Sequence, residues 1–191
     1  MKQSITTSRG KILIREASTT DAAEFRELRL GALQDSPIAF SADYQKSLNH
    51  PLKHWEDMLT VHPDESTIFL AEHKRSTPQS GSVDEKKLIG TTGIARGGSP
   101  KTRHSAWVWG VYIKPEWRGL HIAEALIRTC FTWAKARRIV IAKLGVAAIN
   151  TSAIRCYERC GFKTYGTEPR ALCYEGKYYD FYMMSCSLDT D

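Results

Sequence analysis

The sequence predicts an α/β or α+β fold, with a central mixed sheet of about seven strands flanked by helices. Three observations carry that prediction. Short apolar segments alternate with stretches whose apolar residues recur every three or four positions, in the order strand, helices, three strands, helix, strand, helix, two strands. The helical stretch near 120–136 stands between two strand-like segments, so it is read as a crossover and the two strands as parallel. A length of 191 residues, with 42% hydrophobic and 25% charged, suits a single domain over 1–191 whose core covers about 12–187.

Taken in order, Ile12–Glu16 reads as the first strand, and Ser18, Thr19 and Asp21 offer caps for a helix through Leu28, Leu30 and Leu33 that ends near Asp35-Ser36-Pro37. Residues 40–60 form a second, irregular helical stretch broken at Pro51, with Trp55, Met58 and Leu59 on one face. Ile68–Glu72 and Leu88–Ala95 are strands joined by a mobile loop over about 75–87, rich in Ser, Pro, Gly and charge. Ala106–Ile113 is a strand with Trp107, Trp109, Val111 and Ile113 expected on one face, stopped by Pro115. Leu120–Ala136 is an amphipathic helix through Ile122, Leu126, Ile127, Cys130 and Trp133. Ile139–Val146 is a buried strand. Asn150 or Thr151 caps a shorter helix closed by Gly161, and Phe162 opens the next strand. Lys177–Ser187 is the last strand, with Glu175-Gly176 as the turn into it.

The charge balance narrows the function. Twenty-seven Lys and Arg against twenty-one Asp and Glu give +6, a surplus that favours polyanionic partners without choosing among CoA, nucleic acid and anionic lipid. It is scattered over the chain, so a nucleic-acid-binding arm is not expected. Five cysteines without a CxxC pair suggest neither a disulfide framework nor a metal site, and the thiols read as reduced and cytoplasmic. The N-terminal segment has no apolar targeting core, and no apolar run approaches the roughly 20 residues of a membrane span.

Chemistry concentrates in two segments. Arg118-Gly119-Leu120-His121-Ile122-Ala123 follows a strand and a Pro turn and opens a helix, whose first N–H groups lack acceptors and, with the helix dipole, suit a pyrophosphate. Farther on, Asn150, Ala153, Tyr157, Gly161 and Phe162 give NxxAxxxYxxxGF, one strand after that helix. Together these resemble the GNAT superfamily of N-acetyltransferases: its R/Q-x-x-G-x-G/A motif, its Asn…Tyr…Gly-Phe segment and the surrounding layout appear in the right order. The chain departs from that pattern at His121, where Gly is usual.

The resemblance implies an acyl-CoA N-acyltransferase fold and acetyl-CoA as acyl donor, with no metal. It implies that the strand ahead of the phosphate loop splays from its parallel neighbour, leaving Val111 and Ile113 to hydrogen-bond the pantetheine arm like an added strand. The N–H of Val111 would polarise the thioester carbonyl. Arg118, Gly119, Leu120, His121, Ile122 and Ala123 would bind the pyrophosphate, Asn150 the pantetheine, and Tyr157 would lie beside the sulfur and protonate the thiolate. The family often uses a Glu or His on or near the central strands as base. Glu72 on the second strand and His104 at the edge of the fourth are the candidates, with Glu72 preferred. The acceptor would meet about 31–60 and 166–176, which carry Phe40, Tyr44, Trp55 and Tyr174 with Asp35, Asp43, Glu56, Asp57, Glu168 and Glu175, a mixture suited to a cationic amine.

His50 and His54 are four apart but interrupted by Pro51, and Cys156 and Cys160 share a helix face where packing is the expected role. The expected function is acetyl transfer from acetyl-CoA to a primary amine of a small molecule or peptide, by direct attack in a ternary complex. A non-catalytic acyl-CoA-binding or sensing protein is the alternative, motivated by His121 and the missing strand carboxylate. The expected partners are acetyl-CoA and an amine acceptor, with neither nucleic acid nor membrane; a homodimer stays open.

Overall fold

Alternation along the strands decides which face of the sheet each side chain meets, and helices then cover both faces. The computed structural model describes residues 1–60, 62, 64–74 and 86–189. Eight strands form one sheet: β1 (Lys2–Thr7), β2 (Gly10–Glu16), β3 (Ser66–Lys74), β4 (Lys86–Arg96), β5 (Ser105–Ile113), β6 (Ile141–Ala147), β7 (Lys163–Tyr174) and β8 (Lys177–Ser187). Their order is β1-β2-β3-β4-β5-β6-β8-β7, and β5/β6 is the only parallel pair among the described residues. The helices are α1 (Ala22–Asp35), α2 (Tyr44–Leu48), α3 (Leu52–Leu59), α4 (Ile122–Lys135) and α5 (Thr151–Arg159). The loop expected over 75–87 lies outside the described residues except for 86 and 87, which already belong to β4.

Along β3, Phe69 and Ala71 join the core under α4, whereas Ile68 and Leu70 join the core under α1 and α3. On the first face, α4 buries Ile122, Leu126, Ile127, Cys130 and Trp133, the stripe expected from its periodicity. Full burial of Leu126 or Ile127 contributes about 1.5–3 kcal/mol each. On the other face, Phe25, Leu28 and Ala32 of α1 pack with Trp55 and Leu59 of α3; the Phe25 and Trp55 rings meet edge to face at 6.1 Å.

Three differences from the expected elements have physical causes. The eighth strand is β1, whose KQSITT carries one partly buried apolar residue packed on the core, Ile5. It is held by antiparallel pairing to β2 and by Gln3, whose amide donates to Thr129 Oγ1 and, at 3.2 Å, to the Ala125 carbonyl of α4. Second, Trp107, Trp109, Val111 and Ile113 do not share one face. Gly93 pairs with Trp109 and Thr91 with Tyr112, so Thr92 faces two residues of β5, and Gly110 takes φ 64° in this bulge. Val108, Val111 and Ile113 consequently contact the α4 core, while Trp109 and Tyr112 turn to the α1 core. Gly93 is required here, since a Cβ on it would lie 2.3 Å from the Trp109 ring. Third, the segment 166–176 expected to meet the acceptor is mostly strand: 166–174 is the outer part of β7, and Glu175 (φ 49°) and Gly176 (φ 73°) turn the chain, as expected of a two-residue hairpin. Pro51 does separate α2 from α3, yet the His50 and His54 rings stack at 3.8 Å.

Candidate active site

The parallel pair β5/β6 is short. Ser105, Ala106 and Trp107 pair with Ile141, Ala142 and Lys143, after which the strands part. Past Trp107 the edge of β5 toward β6 therefore loses its ladder partner, leaving main-chain groups able to hydrogen-bond an extended ligand. A cavity of about 490 Å³ opens in the gap, walled by 108–113 of β5, 144–147 of β6, the start of α4 and one side of α5.

The sequence shapes the α4 end of this cavity locally. Pro115 begins a single 3₁₀ turn, Gly119 adopts φ 78° and His121 φ 57°, and the first bond into the helix runs from the Ala125 N–H to the His121 carbonyl at 3.1 Å. The N–H groups of Ile122, Ala123 and Glu124 are thus left to an external acceptor. Left-handed geometry explains why glycine suits position 121, since a side chain there costs about 1 kcal/mol. The His121 ring does not close the cavity: Nδ1 lies 3.0 Å from Glu124 Oε2, and the side chain is 72% exposed. Glu124 Oε1 accepts from Arg159 Nε at 2.7 Å. Burial pushes the Glu124 carboxyl up, but the Arg159 and His121 contacts outweigh it and hold it below its ordinary value. Arg118, Arg155 and Arg159 all line this end. Arg118 Nε donates to the Ile113 carbonyl at 3.0 Å, and its guanidinium pairs with Asp35, which ties the end of α1 to the end of β5.

On α5, Asn150 Oδ1 accepts from the Ala153 N–H at 3.2 Å and so caps the helix, while its Nδ2 makes no hydrogen bond among the described residues. Tyr157 lies about two turns farther along the same side of the helix, its ring edge-on to Phe162 at 6.1 Å. Burial pushes the phenol above its usual range, so it stays protonated at neutral pH. Cys156 also lines the cavity; the Cys160 thiol hydrogen-bonds it and draws its pKa down.

Of the residues named from sequence, Val111, Ile113, Arg118, Gly119, His121, Ile122, Ala123, Asn150 and Tyr157 meet in this one cavity, and Leu120 alone of the phosphate segment is not on its wall. Glu72 does not reach it. Its carboxylate is 98% buried between β2 and β3, Oε2 accepting from Arg15 Nε at 2.9 Å, and Arg15 also holds both Asp21 oxygens at 2.7 Å. Glu72 is thus a partner for a buried guanidinium, which corrects its assignment as the base. His104 is exposed at the opposite end of β5 from Ile113 and is likewise off the cavity wall. Trp55 is core, Tyr174 is on the outer hairpin, and Asp35 is taken by Arg118, so of the expected acceptor residues only Phe40 lines the cavity. Sequence reasoning missed Gly110 and Tyr112 on the wall and Arg29 behind it; a glycine inside an aromatic strand is the one signal that pointed to the first.

A mixed sheet parted at its parallel pair, with a helix N-terminus at the mouth of the parting, is the frame of the N-acyltransferases. Residues 32–162 match the model of the acetyltransferase (GNAT) family, and the chain belongs to that family. A GNAT-family acetyltransferase from Streptococcus pneumoniae superposes with a TM-score of 0.75 at 25% identity, over 92% of this chain and 99% of that one. The protein yncA from Salmonella typhimurium, solved with its cofactor acetyl-CoA, superposes with a TM-score of 0.70 at 18% identity, over 94% of this chain and 95% of that one. Among curated proteins, mycothiol acetyltransferase from Acidothermus cellulolyticus is 29% identical over 157 residues, 78% of this chain. The chain spans about half the length of that relative, 47%. None of the described helices is long and apolar enough to cross a membrane.

Proposed function

We propose that the protein transfers an acetyl group from acetyl-CoA to a primary amine by direct attack in a ternary complex. The observation that carries the proposal is the meeting, in one cavity, of an unpaired strand edge, a helix N-terminus ringed by Arg118, Arg155 and Arg159, and the buried phenol of Tyr157. Acetyl-CoA has the matching chemistry: a polyanionic end, an amide-bearing arm and a thioester. It supplies the thioester, whose C–S bond breaks as the amine nitrogen bonds to the carbonyl carbon.

The N–H groups of Ile122, Ala123 and Glu124 bind phosphate oxygens, and the arginines add charge. Val111 and Ile113 present main-chain groups to the pantetheine arm, and Asn150 offers its free Nδ2. The N–H of Val111, just past the bulge, is the donor we assign to the developing oxyanion. Tyr157 O–H gives its proton to the departing thiolate; the burial that raises the phenol also disfavours a bare thiolate in the same wall, which keeps that transfer feasible. On the acceptor side no carboxylate lines the cavity among the described residues, so the surplus proton of the amine leaves through solvent.

Release of free CoA thiol in the presence of a panel of amines, peptides and proteins tests the proposal. Tyr157→Phe is expected to lower kcat about 10²-fold or more while leaving acetyl-CoA affinity within about twofold. Unaltered turnover at saturating acetyl-CoA would remove the acid role from Tyr157. Tight acetyl-CoA binding with no release from any amine would instead leave a non-catalytic acyl-CoA-binding protein.

A further inference from the structure

Arg29 stands in the middle of α1, between the buried Leu28 and Leu30, and is itself only 8% exposed. Among the described residues no carboxylate pairs with it, and Nη1 has no hydrogen-bond partner. Arg15, the other guanidinium held between sheet and helix, has two carboxylates. Burying a guanidinium without an anion is costly, and burial indeed draws its pKa down. Its one partner among the described residues is the Phe40 ring, whose centroid is 4.8 Å from the guanidinium carbon. A ring occupies the face of the guanidinium; the in-plane N–H donors, which are the ones that grip a carboxylate, remain unused.

The position of this group is as informative as its isolation. A Cβ built on Gly110 would lie 3.7 Å from Arg29 Nη1, so the guanidinium sits directly behind the bulge of β5. Gly110 and Phe40 both line the cavity, and Val111, whose N–H we assign to the thioester carbonyl, is the next residue. An anion on Nη1 would therefore be within a few bonds of the nitrogen that attacks the thioester.

We infer that Arg29 is the carboxylate-binding group of the acceptor site, and that the acceptor is an amino acid or analogue whose carboxylate is on the same carbon as the amine or the next one. The inference rests on the acetyl-transfer reading for its chemistry, but the anion site stands on its own geometry. Phe40 covers the guanidinium in the free protein; it is half-buried on the irregular segment between α1 and α2, and its rotation admits the carboxylate. This narrows the expected primary amine to one that carries its own carboxylate; Glu124 is the one carboxylate on the cavity wall among the described residues.

The test uses leucine, methionine and phenylalanine, each beside its carboxamide and its decarboxylated amine. Binding is read by calorimetry with CoA present, and transfer by thiol release from acetyl-CoA. The carboxamide amine is less basic, and the decarboxylated amine more basic, than that of the amino acid, so a preference for the acid over both cannot come from amine basicity. The free acids are expected to win by about tenfold to a hundredfold in kcat/KM, chiefly through KM, as for a hydrogen bond to a charged group. Arg29→Met abolishes that preference and, having removed an unpaired buried charge, leaves Tm unchanged or higher; Arg29→Lys retains part of the preference.

Equal or better use of the carboxamides and decarboxylated amines overturns the inference while leaving acetyl transfer intact. Arg29-dependent binding of the acids without thiol release supports the anion site and removes the transfer reading. Failure of every acid to bind overturns the inference, as does a large fall in the Tm of Arg29→Met, which would make Arg29 structural.

Discussion

Glu72→Gln separates a buried structural carboxylate from a general base. The side chain is 2% exposed, Oε2 accepts from Arg15 Nε at 2.9 Å, and Oε1 has no partner among the described residues. Removing a buried charge usually costs roughly 3–5 kcal/mol because its partner is left unpaired. Here Arg15 keeps both oxygens of Asp21, each at 2.7 Å, so that penalty does not arise. Glutamine still offers Arg15 an acceptor, and the loss reduces to the difference between a charged and a neutral hydrogen bond, about 1 kcal/mol. For a chain of this size that lowers Tm by about 2–4 °C. The assay pairs thermal unfolding with thiol release at room temperature, using the best acceptor of the amine panel. Expected are the small fall in Tm and a kcat within about twofold of the parent. A base is worth about 10²–10⁴ in rate, so a hundredfold loss of kcat at unchanged Tm would refute the reasoning.

Two further expectations concern the phosphate end and acid stability. His121→Gly removes a left-handed side chain worth about 1 kcal/mol of strain and is expected to raise Tm by about 2 °C, with acetyl-CoA affinity by calorimetry changed less than about threefold; a tenfold gain would mean that the ring crowds the phosphates. Asp21 is pushed up by burial but pulled down further by its hydrogen bonds to Arg15 and Ser18, so its folded pKa lies below the unfolded value of about 3.9. Its contribution is therefore complete above about pH 4 and lost as pH falls through the folded value. Urea unfolding at about pH 6 and pH 3 should show that loss, and Asp21→Asn should flatten it; an equally steep acid limb in the variant would assign the acid sensitivity elsewhere.

What the sequence revealed of the fold tracks where burial is one-sided and periodic. The α4 stripe from Ile122 to Trp133, the parallel order of β5 and β6, the Asn150 cap and the Glu175-Gly176 turn were all legible, because each depends on local spacing or on one residue type with a special backbone preference. The strand β1 was not, because pairing to β2 and the Gln3 bonds to α4 hold it rather than an apolar pattern of its own. Glu72 misled for a related reason: a carboxylate on a central strand looks the same in sequence whether it meets a substrate or the Arg15 of the neighbouring strand, 57 positions earlier.

The bulge at Gly110 links the two faces of the sheet. One extra residue in β5 sends Val111 and Ile113 to the α4 side and Trp109 and Tyr112 to the α1 side, so a single stretch of chain meets both cores in turn. It also leaves β5 without a side chain at the one point where Arg29 approaches from α1. In the sequence, Arg29 reads as a break in an apolar helix face, three residues after Arg26 and four before Leu33, and nothing local marks it as special. Only the fold brings it behind Gly110. The part of the cavity wall built by 118–123 and 150–157 was therefore readable from motifs on nearby segments, whereas the approach of Arg29 to Gly110 depends on a long-range contact between a helix and a strand bulge.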